Sequence, residues 1–207
     1  LNQTIALVAV ARTLGGAAIP SVPITWRQVS GGAIVVLEDS TVGRVRAVAN
    51  GVAEFEAYVD GVTARRPVRV RQVPTSLTTP DSLRLRSLGQ TAQLAATVRD
   101  ALGSGIANAA PVWTALDPAV ATVNSTGQVR SVANGAARIE ARVGTIADTT
   151  RVTVAQTAYQ LAFTVHPSAV TAGATLSPAI VVGVRDSLGT VVATATNSVT
   201  VALSSGG

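Results

Sequence analysis

The stretch whose reading decides the fold is Gly127-Gln128-Val129-Arg130-Ser131-Val132-Ala133-Asn134-Gly135-Ala136-Ala137-Arg138-Ile139-Glu140-Ala141. Apolar and polar side chains alternate on either side of Asn134-Gly135, which is the period of half-buried strands. The pattern also stands earlier in the chain. Gly43-Arg44-Val45-Arg46 aligns with Gly127-Gln128-Val129-Arg130, and Val48-Ala49-Asn50-Gly51 with Val132-Ala133-Asn134-Gly135, an offset of 132 − 48 = 84. Phe55-Glu56-Ala57 aligns with Ile139-Glu140-Ala141. Asn-Gly adopts positive φ at little cost, so Asn50-Gly51 and Asn134-Gly135 are expected to close tight hairpins.

Markers further out keep the same spacing. Trp26 aligns with Trp113 (113 − 26 = 87), with a small loop insertion in the first copy. Val98-Arg99-Asp100-Ala101-Leu102-Gly103 returns as Val184-Arg185-Asp186-Ser187-Leu188-Gly189 (184 − 98 = 86), with a weaker form at Ala11-Arg12-Thr13-Leu14-Gly15. These offsets define a repeating unit, the size of a small β domain, present about two and a half times. The expected domains are 1–73, 74–156 and 157–207. The first lacks the strand-like lead-in that the second has at Ser82 to Leu88, and the third is partial. The register reads as a window from a longer array.

In the second unit, strands are expected at Leu83–Arg86, Leu94–Val98, Val112–Leu116, Val120–Val123, Val129–Val132, Ala137–Val143 and Arg151–Val154. Asp117-Pro118, Ser125-Thr126-Gly127 and Leu102-Gly103-Ser104-Gly105 punctuate them. Short strands at this spacing make an antiparallel sandwich. Its inner faces are lined by small Ala and Val side chains, so Trp26 and Trp113 are expected to plug the core, a packing role favoured over ligand stacking. Gln72-Val73-Pro74-Thr75-Ser76 and Ala155-Gln156-Thr157-Ala158 are short connectors, from which an elongated rod is expected.

Composition narrows the classes. The chain has 207 residues, 47% hydrophobic, 3% aromatic and 13% charged, with no Cys and no Met. Cysteine-based staples and metal sites are excluded, and the apolar content is too high for disorder. No apolar run approaches the roughly 18 residues of a membrane span, and Leu1 opens a strand-like pattern rather than a signal peptide. All 16 basic residues are Arg, against 11 acids and one His, for a net charge of +5.

The second unit resembles the bacterial immunoglobulin-like domain of group 2. The resembling residues run Gly89-Gln90-Thr91-Ala92-Gln93-Leu94-Ala95-Ala96-Thr97-Val98-Arg99-Asp100. They continue through Val112-Trp113-Thr114-Ala115-Leu116-Asp117-Pro118-Ala119-Val120-Ala121-Thr122-Val123 and Gly127 to Ile139. The first unit resembles the same family, with Gly31-Gly32-Ala33-Ile34-Val35-Val36-Leu37 in place of the Asp-Pro segment. The third resembles a related repeat through Thr171-Ala172-Gly173 and Val184-Arg185-Asp186, without a Trp. The resemblance implies an all-β chain of tandem immunoglobulin-like sandwiches arranged end to end, outside the bacterial cytoplasm and with no shared active site. Adhesins, S-layer-like proteins, extracellular filaments, polysaccharide-active enzymes and phage virion proteins carry such domains.

The residues offer little chemistry beyond this. His166 stands beside Pro167 without convergent ligands, so no metal, cofactor or catalytic residue is expected. Glu54 and Glu56 share one strand face, read as solvated. Asp100 and Asp186 occupy equivalent turns and are read as turn-stabilising rather than calcium-binding. Asn2-Gln3-Thr4 and Asn124-Ser125-Thr126 are weak sequons. Arg65, Arg66, Arg69, Arg71, Arg84 and Arg86 alternate with apolar residues, each strand pointing its Arg residues to one face. A solvated face is favoured there over a patch for an anionic polymer. Nucleic acid is disfavoured because no aromatics interleave the Arg residues. The expected function is a non-enzymatic structural or adhesive module, a spacer or fibre-forming unit. Its expected partners are neighbouring domains, other copies of itself or anionic surface polysaccharide, and the first unit's edge is open to a strand from another chain. The alternatives are a virion surface module touching host glycans and a polysaccharide-binding appendage of an enzyme.

Overall fold

The computed structural model describes residues 1–166 and 171–202, so parts of the expected third domain lie outside the described residues. The described chain is all β, with no helix. It forms two compact units, Leu1–Ser76 with Val98–Ala109, and Leu77–Thr97 with Ala110–Gly207.

The first unit contains β1 (Thr4–Ala6), β2 (Thr25–Ser30), β3 (Val35–Asp39), β4 (Arg44–Ala47), β5 (Gly51–Val59) and β6 (Val62–Val70). One sheet has the order β1-β4-β3 and the other β2-β5-β6. Alternation along β5 turns Ala53, Phe55 and Ala57 inward. They pack with Trp26, Val35 and Val45 into a core between the sheets. Burial of these apolar side chains is what holds two thin sheets together.

After β7 (Ser76–Thr78) come β8 (Ser82–Leu85), β9 (Thr91–Gln93), β10 (Thr97–Arg99), β11 (Val112–Ala115), β12 (Ala121–Val123), β13 (Gln128–Ser131), β14 (Gly135–Val143) and β15 (Ile146–Val154). In the second unit the sheet β11-β14-β15-β8 packs against β12-β13-β9. The core contains Leu85, Leu94, Val129, Ile139, Val152 and Val154. β8 lies parallel on β15, with Leu83 opposite Val152 and Leu85 opposite Val154. The same unit contains an antiparallel pair, β16 (Gln160–Val165) and β17 (Val181–Arg185).

Two expectations change. Asn50-Gly51 and Asn134-Gly135 do not close hairpins: each links strands of different sheets, β4 to β5 and β13 to β14. The dipeptide licenses a sharp turn, but here the turn carries the chain across the core. The tight hairpins are Asp60-Gly61 between β5 and β6, with φ of 44° and 82°, and Gly144-Thr145 between β14 and β15, with φ of 59° at Gly144. Positive φ at both loop residues, or at the first alone, gives the primed turns that match strand twist. The strand expected over Leu94–Val98 forms only at its end, in β10, and the break after β9 takes up Leu94 to Ala96. At the break the Leu94 N–H donates to Gly127 O (2.9 Å), and Gln93 Nε2 donates to Thr126 O (2.6 Å).

Candidate functional site

A side-chain clip recurs once in each unit. In the first unit, Asn50 Oδ1 accepts the Gln72 N–H (2.6 Å), and Asn50 Nδ2 donates to Gln72 Oε1 (3.0 Å). Gln72 Nε2 then donates to Asp100 Oδ2 (3.0 Å) and to Gly105 O (3.1 Å). In the second unit, Asn134 Oδ1 accepts the Gln156 N–H (2.9 Å), and Asn134 Nδ2 donates to Gln156 Oε1 (3.0 Å). Gln156 Nε2 donates to Asp186 Oδ2 (2.9 Å) and Val191 O (3.3 Å). Both ends of each Gln amide are used, which fixes its orientation.

The carboxylates at the clip ends also organise their own turns. Asp100 Oδ1 accepts the N–H groups of Leu102 (3.1 Å) and Ser104 (2.9 Å). Asp186 Oδ1 does the same for Leu188 (3.0 Å) and Thr190 (2.9 Å). The preceding Arg closes each loop from outside. Arg99 donates to Gly103 O (2.7 Å) and Arg185 to Gly189 O (3.0 Å), and Arg12 reaches Gly16 O (2.8 Å) in the weaker copy. Asp186 Oδ2 also accepts the Leu88 N–H (3.0 Å), and at the corresponding place Asp100 accepts from the Leu1 nitrogen. Burial raises the Asp186 pKa, but the Gln156 amide and the surrounding N–H donors outweigh it and hold it below the ordinary value. Carboxylates so occupied leave little room for an ion, and the described residues contain no cluster of His, Asp or Glu suited to a metal.

On the first unit's outer sheet face, register places Arg27, Glu56 and Arg65 side by side on β2, β5 and β6. Arg27 Nε donates to Glu56 Oε1 (2.6 Å) and Arg65 Nε to Oε2 (2.9 Å). Glu56 is therefore 2% exposed rather than solvated, because two guanidinium stems cover it. Arg27, then Arg65, lower its pKa, with burial opposing. In the second unit the corresponding row is Thr114, Glu140 and Thr149, and Glu140 takes Arg142 from its own strand instead.

Trp26 is 9% exposed and belongs to the first core. Trp113 is half-buried and packs against the second. Each lies over a glycine: a Cβ on Gly43 would come 2.7 Å from Trp26 Nε1, and one on Gly127 2.8 Å from Trp113 Cε2. Both glycines have positive φ, 65° and 83°.

Arg65, Arg66, Arg69 and Arg71 are exposed in the first unit, and Arg84 and Arg86 are exposed in the second. Arg65 is engaged by Glu56, whereas the other five form no ion pair among the described residues. The expectation of one face fails at Arg66, which stands opposite Phe55 on the inner side of β6 while Arg65 stands opposite Glu56 on the outer. His166 is exposed. Asn124 caps its own turn, accepting from the Thr126 N–H (3.0 Å) and the Gln128 N–H (2.9 Å).

Two antiparallel-rich sheets closed over a shared apolar core, with a tryptophan plug and a parallel edge strand, define the second unit as an immunoglobulin-like β-sandwich. Residues 78–154 match the family model of the bacterial Ig-like domain (group 2). Among solved structures, the chain is similar to domains 4 and 5 of the S-layer protein SbsC, with 21% identity over 73% of this chain and 82% of that one and a TM-score of 0.38. It is similar to a longer SbsC structure, rSbsC(31-844), with 20% identity over 94% of this chain and 28% of that one and a TM-score of 0.41. It is also similar to a C-terminal 282-residue fragment of intimin in complex with the intimin-binding domain of the translocated intimin receptor. There the identity is 17% over 78% of this chain and 59% of that one, with a TM-score of 0.33. No curated protein sequence matches the chain. No helix among the described residues is long and apolar enough to cross a membrane.

Proposed function

We propose that the chain is a non-enzymatic structural and adhesive module of a bacterial extracellular or cell-surface protein, serving as a spacer or a fibre-forming unit. The observation that carries this reading is the match of residues 78–154 to a bacterial Ig-like family, on a sandwich whose polar side chains are spent on structure. Asn134, Gln156 and Asp186 satisfy one another and their turns, and Glu56 is consumed by two arginines. Such groups resist deformation rather than turn over a substrate. Its partners are neighbouring domains of the parent chain and, through Arg69 and Arg71, which share one face and form no ion pair among the described residues, an anionic surface polymer.

The test is location. Antibodies against this chain are expected to label intact bacteria making the parent protein, and external protease is expected to remove the signal. Labelling only after the cells are broken overturns the reading, and labelling of virions assigns it to a virion surface instead. Sedimentation of the purified chain over a range of concentrations separates the two roles, since a spacer stays monomeric and a fibre-forming unit polymerises.

A further inference from the structure

On the outer face of the second unit's larger sheet, two arginines stand directly opposite each other. Arg138 on β14 is the cross-strand partner of Arg151 on β15. The Arg138 N–H donates to Asp117 Oδ2 (3.0 Å), its carbonyl accepts the Leu116 N–H (2.9 Å), and the Arg151 N–H donates to Asp81 O (3.1 Å). Their backbone groups therefore point away from each other. That is the narrow, non-hydrogen-bonded kind of pair, in which side chains are closest. Arg84 on β8 faces the same way one strand further on, opposite Thr153. All three arginines are exposed. Arg138 has one carboxylate in reach, with Asp117 Oδ2 3.6 Å from its Nε. Arg151 and Arg84 form no ion pair among the described residues. Like charges directly opposite destabilise a sheet, and the fold does not need them. The same two places in the first unit hold Glu54 and Pro67 (138 − 54 = 84, 151 − 67 = 84). Small neighbours, Ala136 and Thr149, leave a shallow hollow of about 500 Å³ over the pair, lined also by Asp117.

We propose that this hollow binds the carboxylates of an acidic polysaccharide, Arg138 and Arg151 clamping one carboxylate and Arg84 meeting the next. A carboxylate placed between two opposed guanidiniums replaces their repulsion with charge-assisted hydrogen bonds, and the planar fork of Arg suits two-point contact with it. Ser82 lies beside Arg151 on β8, and Thr149 two residues before Arg151 on the same face. Their hydroxyls and the Asp117 carboxylate are partners for sugar hydroxyls. An acidic group in the hollow disfavours a polymer as densely charged as nucleic acid. No outward position of β8, β14 or β15 carries an aromatic ring on which bases could stack. A peptide is disfavoured because strand addition needs free backbone groups, and those of Arg138 and Arg151 are taken up by neighbouring strands. The same outward positions offer no large apolar anchor of the kind that holds protein partners. This site gives a chemical class to the anionic partner proposed above and rests on that reading, while its contacts belong to the second unit alone.

The test titrates the full 207-residue chain with polygalacturonate oligomers, with their methyl esters and with polyglutamate. Polygalacturonate is expected to bind at low ionic strength and to shift the Nε–H resonances of Arg138 and Arg151. The methyl esters keep the sugars but lose the charge, and should not bind. Polyglutamate of equal charge should bind more weakly than polygalacturonate. Arg151→Gln is expected to weaken polygalacturonate binding at least roughly threefold. The same exchange should leave the urea midpoint of Trp113 fluorescence unchanged or raised, because it relieves a like-charge pair. Arg130→Gln removes one charge from an exposed position on the opposite sheet and should change binding less than roughly twofold. Five results overturn the proposal. They are no binding of polygalacturonate, equal binding of its esters, equal or tighter binding of polyglutamate, equal effects of Arg151→Gln and Arg130→Gln, and a lowered midpoint in Arg151→Gln, which would make Arg151 a residue of the fold. None of them bears on cell-surface display, which antibody labelling reads separately.

Discussion

Val152 and Val154 are sealed beneath β8 in the second unit, whereas Val68 and Val70, on a strand of the same register in the first, remain half-exposed. The two strands read alike in sequence, with alternating apolar residues after a two-residue primed turn. What differs is the neighbour. Alternation determines which face of a strand is apolar, but the next strand over determines whether that face is dry. In the second unit β8 dries that face along the β8–β15 seam, and in the first the core packs β5 against Trp26, Val35 and Val45.

The hardest test of that contrast is truncation of the seam. Leu85→Ala removes a fully buried side chain between two sheets and is expected to cost about 2–5 kcal/mol, read from the urea midpoint of Trp113 fluorescence. Val70→Ala, at the half-covered edge, is expected to cost less than about 1 kcal/mol by the same measurement on Trp26. Equal losses would mean that the seam is not what separates the units. Next in size is a comparison within the cores. Gly127→Ala forces a side chain into Trp113 at positive φ and is expected to cost roughly 2 kcal/mol, and Gly43→Ala a similar amount against Trp26. A blue-shifted, unperturbed Trp emission in either variant would contradict that close packing.

Much of this was legible before any coordinates. The alternation in Ala137–Val143 and its earlier copy specifies strands, and strands at that spacing specify a sandwich. The Asp100 and Asp186 turns were legible too, because an Asp followed two and four residues later by free N–H groups is a local arrangement. The clip was not, since Gln72 and Gln156 lie in segments that read as connectors and reach partners far along the chain. A signal was present nonetheless: Asn50 precedes Gln72 by the same 22 residues that separate Asn134 from Gln156. The Asn-Gly dipeptides misled for a related reason. They report the backbone a turn needs, not the sheet that the following strand will join. Glu56 misled because its neighbours in space, Arg27 and Arg65, sit on other strands, where only register reveals them.

The clips offer a finer comparison. Gln156→Ala leaves Asp186, which is 0% exposed, one donor short and is expected to cost about 1 kcal/mol. Gln72→Ala removes the same kind of bonds, but Asp100 is 8% exposed and can recruit water, so the loss should be smaller. Asn134→Ala combined with Gln156→Ala should cost less than the sum of the two, with a coupling of at least about 0.5 kcal/mol by double-mutant cycle in urea. Strict additivity would show that the clip does not act as one unit.

The smallest expected effect lies on the outer face and is specific to the first unit. Arg27, then Arg65, hold the Glu56 pKa below its ordinary value of 4.5. A carboxyl whose pKa is lower folded than unfolded stabilises the fold fully above the unfolded value and loses that contribution as pH falls through the folded one. Melting of the first unit, followed through Trp26 in a Trp113→Phe background, should therefore drop between near-neutral pH and about pH 3. Another lowered carboxyl of this unit, Asp39, contributes in the same direction, so the drop alone does not isolate Glu56. Arg27→Gln with Arg65→Gln does isolate it. With both donors gone the folded pKa returns toward 4.5, and the part of the acid sensitivity due to Glu56 should vanish while the rest persists. The matching exchange in the second unit, Arg142→Gln beside Glu140, removes a pairing within a single strand rather than a stack across three strands. At neutral pH it should cost the second unit less stability than the double exchange costs the first, read from urea midpoints. A loss as large as in the first unit would show that cross-strand register adds nothing to the pairing of Glu56.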